Sequence, residues 1–452
     1  MSSPAQTQTG AVTIVGAGPV GSLLALLLAR RGRSVRLLER RADPRTHTPD
    51  AGRSINLALA ARGLSALQAA GLLTPVMQQL VPMRGRLVHD ERGGCSFLPY
   101  GSKPDEVIWS ISRELLNRLL LDRVSEQPGI ELQFQTRCLD VEPARRCLQL
   151  QVRSDAPREE PFELLLGADG AGSAVRTALV RRGRVCAHED PLAHDYKELM
   201  IGVEAARALS GEALHIWPRG GFMLIALPNA DGSFTATLFL PRVGNPGFDQ
   251  LVDAAAVGAF FRQYFPDIAA AVRDHAQQFA LHPQGRLGTL HCAGWQVDGC
   301  VGLLGDAAHA IVPFHGQGLN AGFEDCVLLD RLLANEPAAV ALPRFEHERR
   351  PDAEAIASMA LENYQEMREG VRDPRFAQRQ ALAAELERHF PGRFIPRYSM
   401  VMFHPEISYR QALERGARQR LLLDALLERV GGQLDSPASL SLARALLDEQ
   451  AP

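Results

Sequence analysis

Short, almost wholly apolar runs recur along the chain at Ala11–Val15, Ser34–Leu38, Phe162–Leu166 and Val301–Leu304. Runs of this length, bounded by glycine or charge and rich in Val, Ile and Leu, predict strands buried on both faces, as in a parallel sheet. The first passes through Gly16-Ala17-Gly18-Pro19-Val20-Gly21 into Ser22–Ala29, an apolar stretch of helical character. From about Val185 to Leu290 the pattern changes to alternating, aromatic-bearing runs, Leu214–Pro218, Gly221–Leu227 and Ser233–Leu240. These predict antiparallel strands of a separate sheet, inserted between two halves of the first region. From about Asn335 onward the spacing is helical, with Arg and Glu on the polar faces, Pro351 as a helix-start candidate and a break at Pro391–Pro396. The pattern divides the chain into residues 1–184 and 291–335, two parts of one domain, residues 185–290, a separate antiparallel sheet, and residues 336–452, a helical region.

The glycine turn after the first strand has a physical job at each position. Gly16 allows a tight reversal, Gly18 lets a pyrophosphate approach the backbone, and Gly21 lets the helix pack closely on the strand. The helix N-terminus then offers free N–H groups to phosphate. Glu39, at the end of the second apolar run and about twenty residues on, can accept hydrogen bonds from both ribose hydroxyls and would repel a 2′-phosphate. A glycine turn that served packing alone would need no acid there. Gly305-Asp306-Ala307-Ala308-His309 follows the Val301–Leu304 run in the same strand-then-turn fashion, and the two segments together read as one flavin-binding fold. A third turn, Gly167-Ala168-Asp169-Gly170, follows Phe162–Leu166 and precedes a helical stretch, Ser173–Ala178. Arg113 begins a helix after the extended Trp109–Ser112, where a guanidinium can reach a pyrophosphate or a ribityl chain.

Composition narrows the function classes. With 452 residues and 46% hydrophobic content the chain can bury a sizeable core, and a formal charge of −3 leaves no electrostatic footprint for nucleic acid. The local basic clusters Arg30–Arg33, Arg40–Arg45 and Arg181–Arg184 read as solvated helix ends and loops. Seven scattered cysteines with no CxxC pair indicate neither a disulfide framework nor a zinc site, and fit a reducing cytoplasm. Cys186, His188 and His194 lack a metal-ligand spacing, so no metal is expected. His309 reads as a structural hydrogen-bonder after the Gly-Asp turn. The N-terminus has no signal layout, and the tail, with Asp435, Arg444 and Asp448, is too polar for a membrane anchor. Neither a Gly-x-Ser-x-Gly elbow nor a Cys–His pair supports hydrolysis.

The three glycine-bearing motifs, in this order, resemble the single-component FAD-dependent aromatic hydroxylases, the group A flavoprotein monooxygenases. That resemblance covers most of the chain and implies a fold class of α/β type: a Rossmann-like FAD-binding domain, an inserted antiparallel-sheet substrate domain and a C-terminal helical region. Further segments, Gly52–Leu59, Pro82–Arg86 with Pro99–Gly101, Ile311–Asp325, Glu362–Arg368 and Phe394–Val401, resemble the branch of that family acting on L-kynurenine. The implied reaction is FAD-dependent hydroxylation to 3-hydroxykynurenine, with NADPH and O2 as co-substrates and oxygen adding to the reduced flavin before its transfer to the ring. NADPH would bind only transiently, in line with a single complete GxGxxG.

The resemblance also implies roles. The substrate would be held by Arg86, Tyr100, Asn363 and Tyr398, with His315 and Gln317 beside the reacting centre. Arg86 can grip a carboxylate through two parallel N–H bonds, and a phenol can add an O–H donor while its ring covers apolar surface. Arg84 would point the opposite way on an extended strand. The FAD contacts would be Gly16, Gly18, Val20, Gly21, Glu39, Arg40, Arg53, Ala58, Arg113, Cys138, Asp169, Asp306, Pro313, Gly318, Leu319 and Asn320. No residue is expected to act as acid or base, because the flavin carries the chemistry. Animal relatives carry an apolar C-terminal anchor that is absent here, so a cytoplasmic, bacterial-type enzyme, monomeric or homodimeric, is expected. A hydroxylase of another aromatic acid and a non-enzymatic flavoprotein scaffold remain the alternatives.

Overall fold

Val12–Val15, Val35–Leu38, Leu164–Gly167 and Val301–Leu303 lie together in one six-stranded sheet, extended at one edge by Ile130–Gln133 and at the other by Gln296–Val297. All its pairings are parallel except that of Gln296–Val297, so the continuous apolar runs are buried on both faces. The computed structural model describes residues 10–46, 56–269, 272, 275–369, 374–431, 434 and 436–449. The glycine-turn helix, Pro19–Arg30, is buried over nearly its whole length. Its apolar residues run all round the helix because it is packed between the sheet and two other helices, Arg113–Glu126 and Gly318–Asn335. A methyl group on Gly21 would sit 1.9 Å from the Gly16 carbonyl oxygen, which is why helix and turn can meet only through glycine.

The second sheet has seven strands, in the order Gly285–Ala293, Cys186–Ile201, Phe234–Pro241, Met223–Pro228, Ala213–Pro218, Gly85–His89 and Cys95–Pro99. The last two come from well before the expected insert. Gly85–His89 runs parallel to Ala213–Pro218, and that pairing carries Arg86 into this sheet. Local alternation gives no means of choosing the sheet to which such a strand belongs, because partner choice is a long-range matter. The final third of the expected strand region is instead helical, at Ala254–Tyr264, Pro266–Ala269 and His275–Leu281. Asp253 caps the first of these by accepting from Ala256 N at 2.8 Å, and Phe260, Phe261, Phe265 and Phe279 pack into this lobe's core. Aromatic richness was here the signature of a helical cover rather than of more strands.

A third, three-stranded sheet pairs Asn56–Leu59 and Val81–Met83 with Ile108–Ser112. The C-terminal region is helical as expected: Ala338–Glu369, Pro374–His389, Arg397–Phe403, Tyr409–Val430 and Pro437–Glu449, with the break between His389 and Arg397. Pro351 does not start a helix; it lies inside Ala338–Glu369. The carbonyl it leaves without a partner, that of His347, belongs to an exposed residue, so water can satisfy it. The basic clusters also differ from the expectation of solvated ends. Arg31 pairs with Asp330 at 2.7 Å, Arg33 donates to the Leu333 carbonyl at 2.6 Å, and Arg182 grips Asp140 at 2.7 Å. No helix among the described residues is long and apolar enough to cross a membrane.

Candidate active site

The glycine turn, Glu39 and the Gly305 turn converge at the carboxyl ends of the parallel strands. Gly16 adopts φ +104°, and an added Cβ there would lie 2.5 Å from the Ala168 carbonyl oxygen. Buried Glu39 accepts from Ala17 N at 3.1 Å and from Arg41 N at 3.0 Å, so the acid is held against the turn itself. Gly305, at φ +58°, donates its N–H to Asp325 Oδ2 at 2.9 Å. The same fully buried carboxylate accepts from Arg349 Nε at 2.8 Å and contacts His309 Nε2 at 2.6 Å. Burial alone would push its pKa up, but His309 and Arg349 hold it well below the usual carboxylate range. Asp325 is thus a buried anion that fixes the Gly305 turn from behind, and His309 is the structural hydrogen-bonder its position implied.

Past this turn come Pro313–His315, then Gly316 in the left-handed region, then the helix Gly318–Asn335. A helix leaves its first N–H groups without partners, and here those of Gly318, Leu319 and Asn320 precede the first i to i−4 bond, from Ala321 to Gln317. The Asn320 side chain is fully committed elsewhere. Its Nδ2 donates to the Ala58 and Gly316 carbonyls at 2.8 and 2.9 Å, while Oδ1 accepts from Ala60 N and Gly63 N at 3.0 and 3.2 Å. In that way Asn320 caps the helix Ala61–Ala69, which has no cap of its own.

These features fit a flavin nucleotide. Nothing lies within 4 Å of the position a Cβ on Gly18 would take, beside a helix N-terminus. The Asp306 carboxylate has no ion pair or hydrogen bond among the described residues and lies near Gly318, whose added Cβ would be 3.8 Å from Oδ1. Gly18→Ala is expected to leave the apoprotein's melting temperature unchanged, since the methyl meets no protein atom, yet to weaken FAD binding by about tenfold or more. FAD titration with a parallel thermal melt checks this; a fall in stability without loss of affinity would contradict it.

The other expected cofactor residues are placed as follows. Val20 packs against Gly305 and Gly322 and so joins the two turns. The Asp169 carboxylate is engaged by Ser173 Oγ at 2.5 Å and Ala174 N at 2.7 Å, capping the helix Ala174–Arg181. Cys138 is packed in the core, its thiol pushed up to about 12 by burial and by Asp169. Arg40, Arg113 and Pro313 are exposed, and Ala58 faces Gly316. Arg53 lies outside the described residues.

Across from the Pro313–Gly318 turn, an aromatic stack closes on a guanidinium. His315 stacks on Tyr398 with centroids 5.4 Å apart, and Tyr398 on Tyr100 at 5.8 Å, with interplanar angles of 18° and 14°. The Arg86 guanidinium carbon lies 4.7 Å from the Tyr398 ring centroid and 5.5 Å from that of Tyr100. Its Nε is shut off from solvent without a hydrogen-bond partner. Burial works against its charge, but Tyr398 and Tyr100 more than offset this and raise its pKa, so it is cationic at any working pH. Burial raises the pKa of both phenols, leaving them as O–H donors. Met83, Ile108, Leu227 and Met402 pack with Tyr100 into an apolar wall. Arg84, outside this pocket, is exposed and 3.2 Å from Glu212.

His315 is driven down to about 3 by burial, with Arg86 a further cause, and is therefore neutral under working conditions. Its Nδ1 is buried without a partner among the described residues. We expect His315→Phe to leave the pH dependence of kcat/KM between pH 5.5 and 8.5 unchanged while keeping the ring stack. Loss of a limb near the ordinary imidazole pKa of ~6.5 in that variant would overturn this.

Arg86, Tyr100, Tyr398 and His315 thus meet in one pocket, whereas two other expected residues serve its frame. Asn363 is buried and donates to the Phe314 carbonyl at 2.5 Å, pinning the turn that carries His315. Gln317 is bound at both ends of its amide, by Tyr409 OH at 2.8 Å and by Met402 Sδ at 3.1 Å. Sequence reasoning missed Arg62, a fully buried guanidinium 4.1 Å from the Tyr409 ring centroid. It donates to the Val401 carbonyl at 3.0 Å and to Glu324 at 2.7 Å. In an amphipathic helix an arginine reads as a solvated face, and nothing local signals the carbonyls that receive it.

The FAD binding domain family matches residues 9–229 and 273–360. Among curated relatives, kynurenine 3-monooxygenase of Myxococcus xanthus (strain DK1622) is 44% identical over 440 residues, 96% of this chain and 93% of that one. Kynurenine 3-monooxygenase of Stenotrophomonas maltophilia (strain K279a) is 46% identical over 418 residues, 92% of this chain and 91% of that one. Among solved structures, 2-methyl-3-hydroxypyridine-5-carboxylic acid oxygenase superposes with a TM-score of 0.67 at 20% identity, over 84% of this chain and 98% of that one. The p-nitrophenol 4-monooxygenase PnpA of Pseudomonas putida DLL-E4 gives 0.64 at 17% identity, over 98% and 97%. The solved structures share the fold; the family is shown by the relatives that are nearly half identical over nearly the whole chain, and on that evidence this chain belongs to the kynurenine 3-monooxygenase family of FAD-dependent monooxygenases.

Proposed function

We propose that this enzyme hydroxylates L-kynurenine to 3-hydroxykynurenine, using FAD as its resident cofactor and NADPH and O2 as co-substrates. The observation that carries the reading is Arg86: a half-buried cation whose Nε is fully desolvated, with no carboxylate at ion-pair distance among the described residues, flanked by two phenols and an apolar wall. That arrangement suits a ligand with a carboxylate at one end and an aromatic ring at the other. Arg86 grips the amino-acid carboxylate, and Tyr100 and Tyr398 add O–H donors. Met83, Leu227 and Met402 face the apolar part of the ligand, and Asn363 acts through the Phe314 carbonyl to hold His315 and the turn in place.

When bound, FAD supplies the hydride acceptance and oxygen activation. The chain's part is position and exclusion of water. We assign the first-turn amides of Gly318, Leu319 and Asn320 to the electron-rich edge of the flavin, where they favour negative charge on its reduced form. Asp306 takes a ribityl hydroxyl, Gly18 and its neighbours the pyrophosphate, and Glu39 the ribose. The aniline of kynurenine activates its own ring, so no strong base is required, in keeping with a neutral His315. Free thiols at all seven cysteines fit a reducing cytoplasm, and we expect a monomer or homodimer.

The test is NADPH oxidation by the FAD-loaded protein with and without L-kynurenine, with peroxide and 3-hydroxykynurenine followed in the same samples. Product with little peroxide is expected. Kynurenine-stimulated oxidation that yields only peroxide would move the substrate to another aromatic acid.

A further inference from the structure

The antiparallel sheet carries a second concentration of ligating side chains, which the reaction above does not use. His188 and Asp190 are two residues apart on the strand Cys186–Ile201, so alternation puts both on one face. The register with Gly285–Ala293 sets His291 directly opposite His188. The two imidazoles stack with centroids 4.8 Å apart. His291 Nε2 lies 3.1 Å from one Asp190 oxygen and His188 Nε2 lies 3.9 Å from the other. One ligating atom from each of the three falls within 4.8 Å of the other two. The spacing of residues along the chain could not reveal this, because His291 arrives by strand pairing.

We propose that His188, Asp190 and His291 bind one divalent first-row transition-metal ion, with water completing its coordination. Zinc bonds of about 2.1 Å in a tetrahedron imply ligand atoms about 3.4 Å apart. The His291–Asp190 distance already meets this. The others need one ring to turn so that both lone pairs converge, and exposure leaves room for this, most of all at His188: the side chains of His188, Asp190 and His291 are 66%, 66% and 41% exposed. Two imidazoles and one carboxylate favour zinc, copper or nickel over the oxygen-seeking magnesium and calcium. The ligands sit on adjacent strands, so the ion bolts one to the other. The strand Gly285–Ala293 also donates a bond, from Leu290 N to the Ala310 carbonyl at 2.8 Å, one turn from Asp306. His188 and His291 line a cavity of about 200 Å³ whose wall also includes Trp295 and His309. Because the three ligands come together only in the folded chain, metal binding raises its stability.

The experiment is calorimetric titration of zinc sulfate, with magnesium sulfate as control, into tag-free, chelator-treated, FAD-loaded protein, beside thermal melts. One zinc per chain is expected, with a higher melting temperature and no magnesium binding. His188→Ala and His291→Ala should each weaken zinc by more than about tenfold, since even changes outside the ligand shell cost 10- to 100-fold. Asp190→Asn should weaken it similarly, and all three variants should match the parent's metal-free melting temperature and NADPH-dependent turnover. No stoichiometric zinc uptake, equal uptake of magnesium, or full-affinity binding that survives these substitutions, as at a cysteine elsewhere, would each overturn the proposal.

Discussion

Replacing Arg86 with alanine is expected to lower kcat/KM for L-kynurenine by about two to three orders of magnitude while the protein keeps its FAD. The guanidinium is the positive charge at the centre of the aromatic pocket, and its Nε is already desolvated without a partner. Removing it strands the substrate's carboxylate in an apolar enclosure, and truncating one side of a buried charge pair costs roughly 2–5 kcal/mol. Since each ~1.4 kcal/mol is a factor of ten, the middle of that range gives the stated loss. The effect should fall mainly on KM, because the carboxylate is gripped alike in the ground and transition states. Arg86→Lys should recover part of the affinity, as a point charge lacks the two-pronged geometry. Steady-state kinetics with a flavin absorbance spectrum of each variant decide the matter. An unchanged KM would assign the carboxylate to another cation, and loss of FAD would show that Arg86 maintains the fold.

Asp325→Ala is expected to cost the protein about 3–5 kcal/mol of stability and to weaken FAD binding together with it. Taking one partner from a buried charge cluster leaves the others unpaired in a poorly solvating interior. Here the loss strands the Gly305 N–H, His309 and the Nε of Arg349, although Arg349 Nη1 keeps Glu324 at 3.3 Å and Asp352 at 3.6 Å. Gly305 precedes Asp306 in the turn that faces the nucleotide, so the damage reaches the cofactor. The pH dependence follows from the depressed pKa of Asp325. A carboxylate held below its unfolded value of ~3.9 stabilises fully above that value, and its contribution is lost as pH falls through the folded one. Parent and Asp325→Asn should therefore keep a constant gap from neutrality down to about pH 4, and the gap should narrow progressively below the unfolded value of ~3.9, as melts from pH 7 to about pH 2 will show. A gap that stays constant over the whole range would mean that the contribution of Asp325 is steric.

The glycine turns were legible because each is a local demand of the backbone: Gly16 must adopt positive φ, and Gly21 must admit a helix within van der Waals reach. The parallel strands were legible because burial on both faces leaves a continuous apolar run. Gln317 and Asn320, in contrast, lie in a motif that could be recognised but whose side-chain directions could not be read. Asn320 spends its whole amide on Ala58, Gly316, Ala60 and Gly63, and Gln317 turns to Tyr409 and Met402. The Arg62 hub was invisible for a related reason, since apart from Glu324 its guanidinium is satisfied by main-chain carbonyls, which leave no signal in the sequence.

By itself, then, the sequence determined the nucleotide-binding half, the order of the segments and the family, because spacing, glycine placement and apolar run length are properties of neighbouring residues. Only the tertiary structure decided that Gly85–His89 joins the sheet of Ala213–Pro218, that Tyr398 slides between Tyr100 and His315, and that His291 comes to face His188. Each of these depends on which distant surfaces bury one another, and the free energy of that choice is summed over the whole core rather than written at any one position.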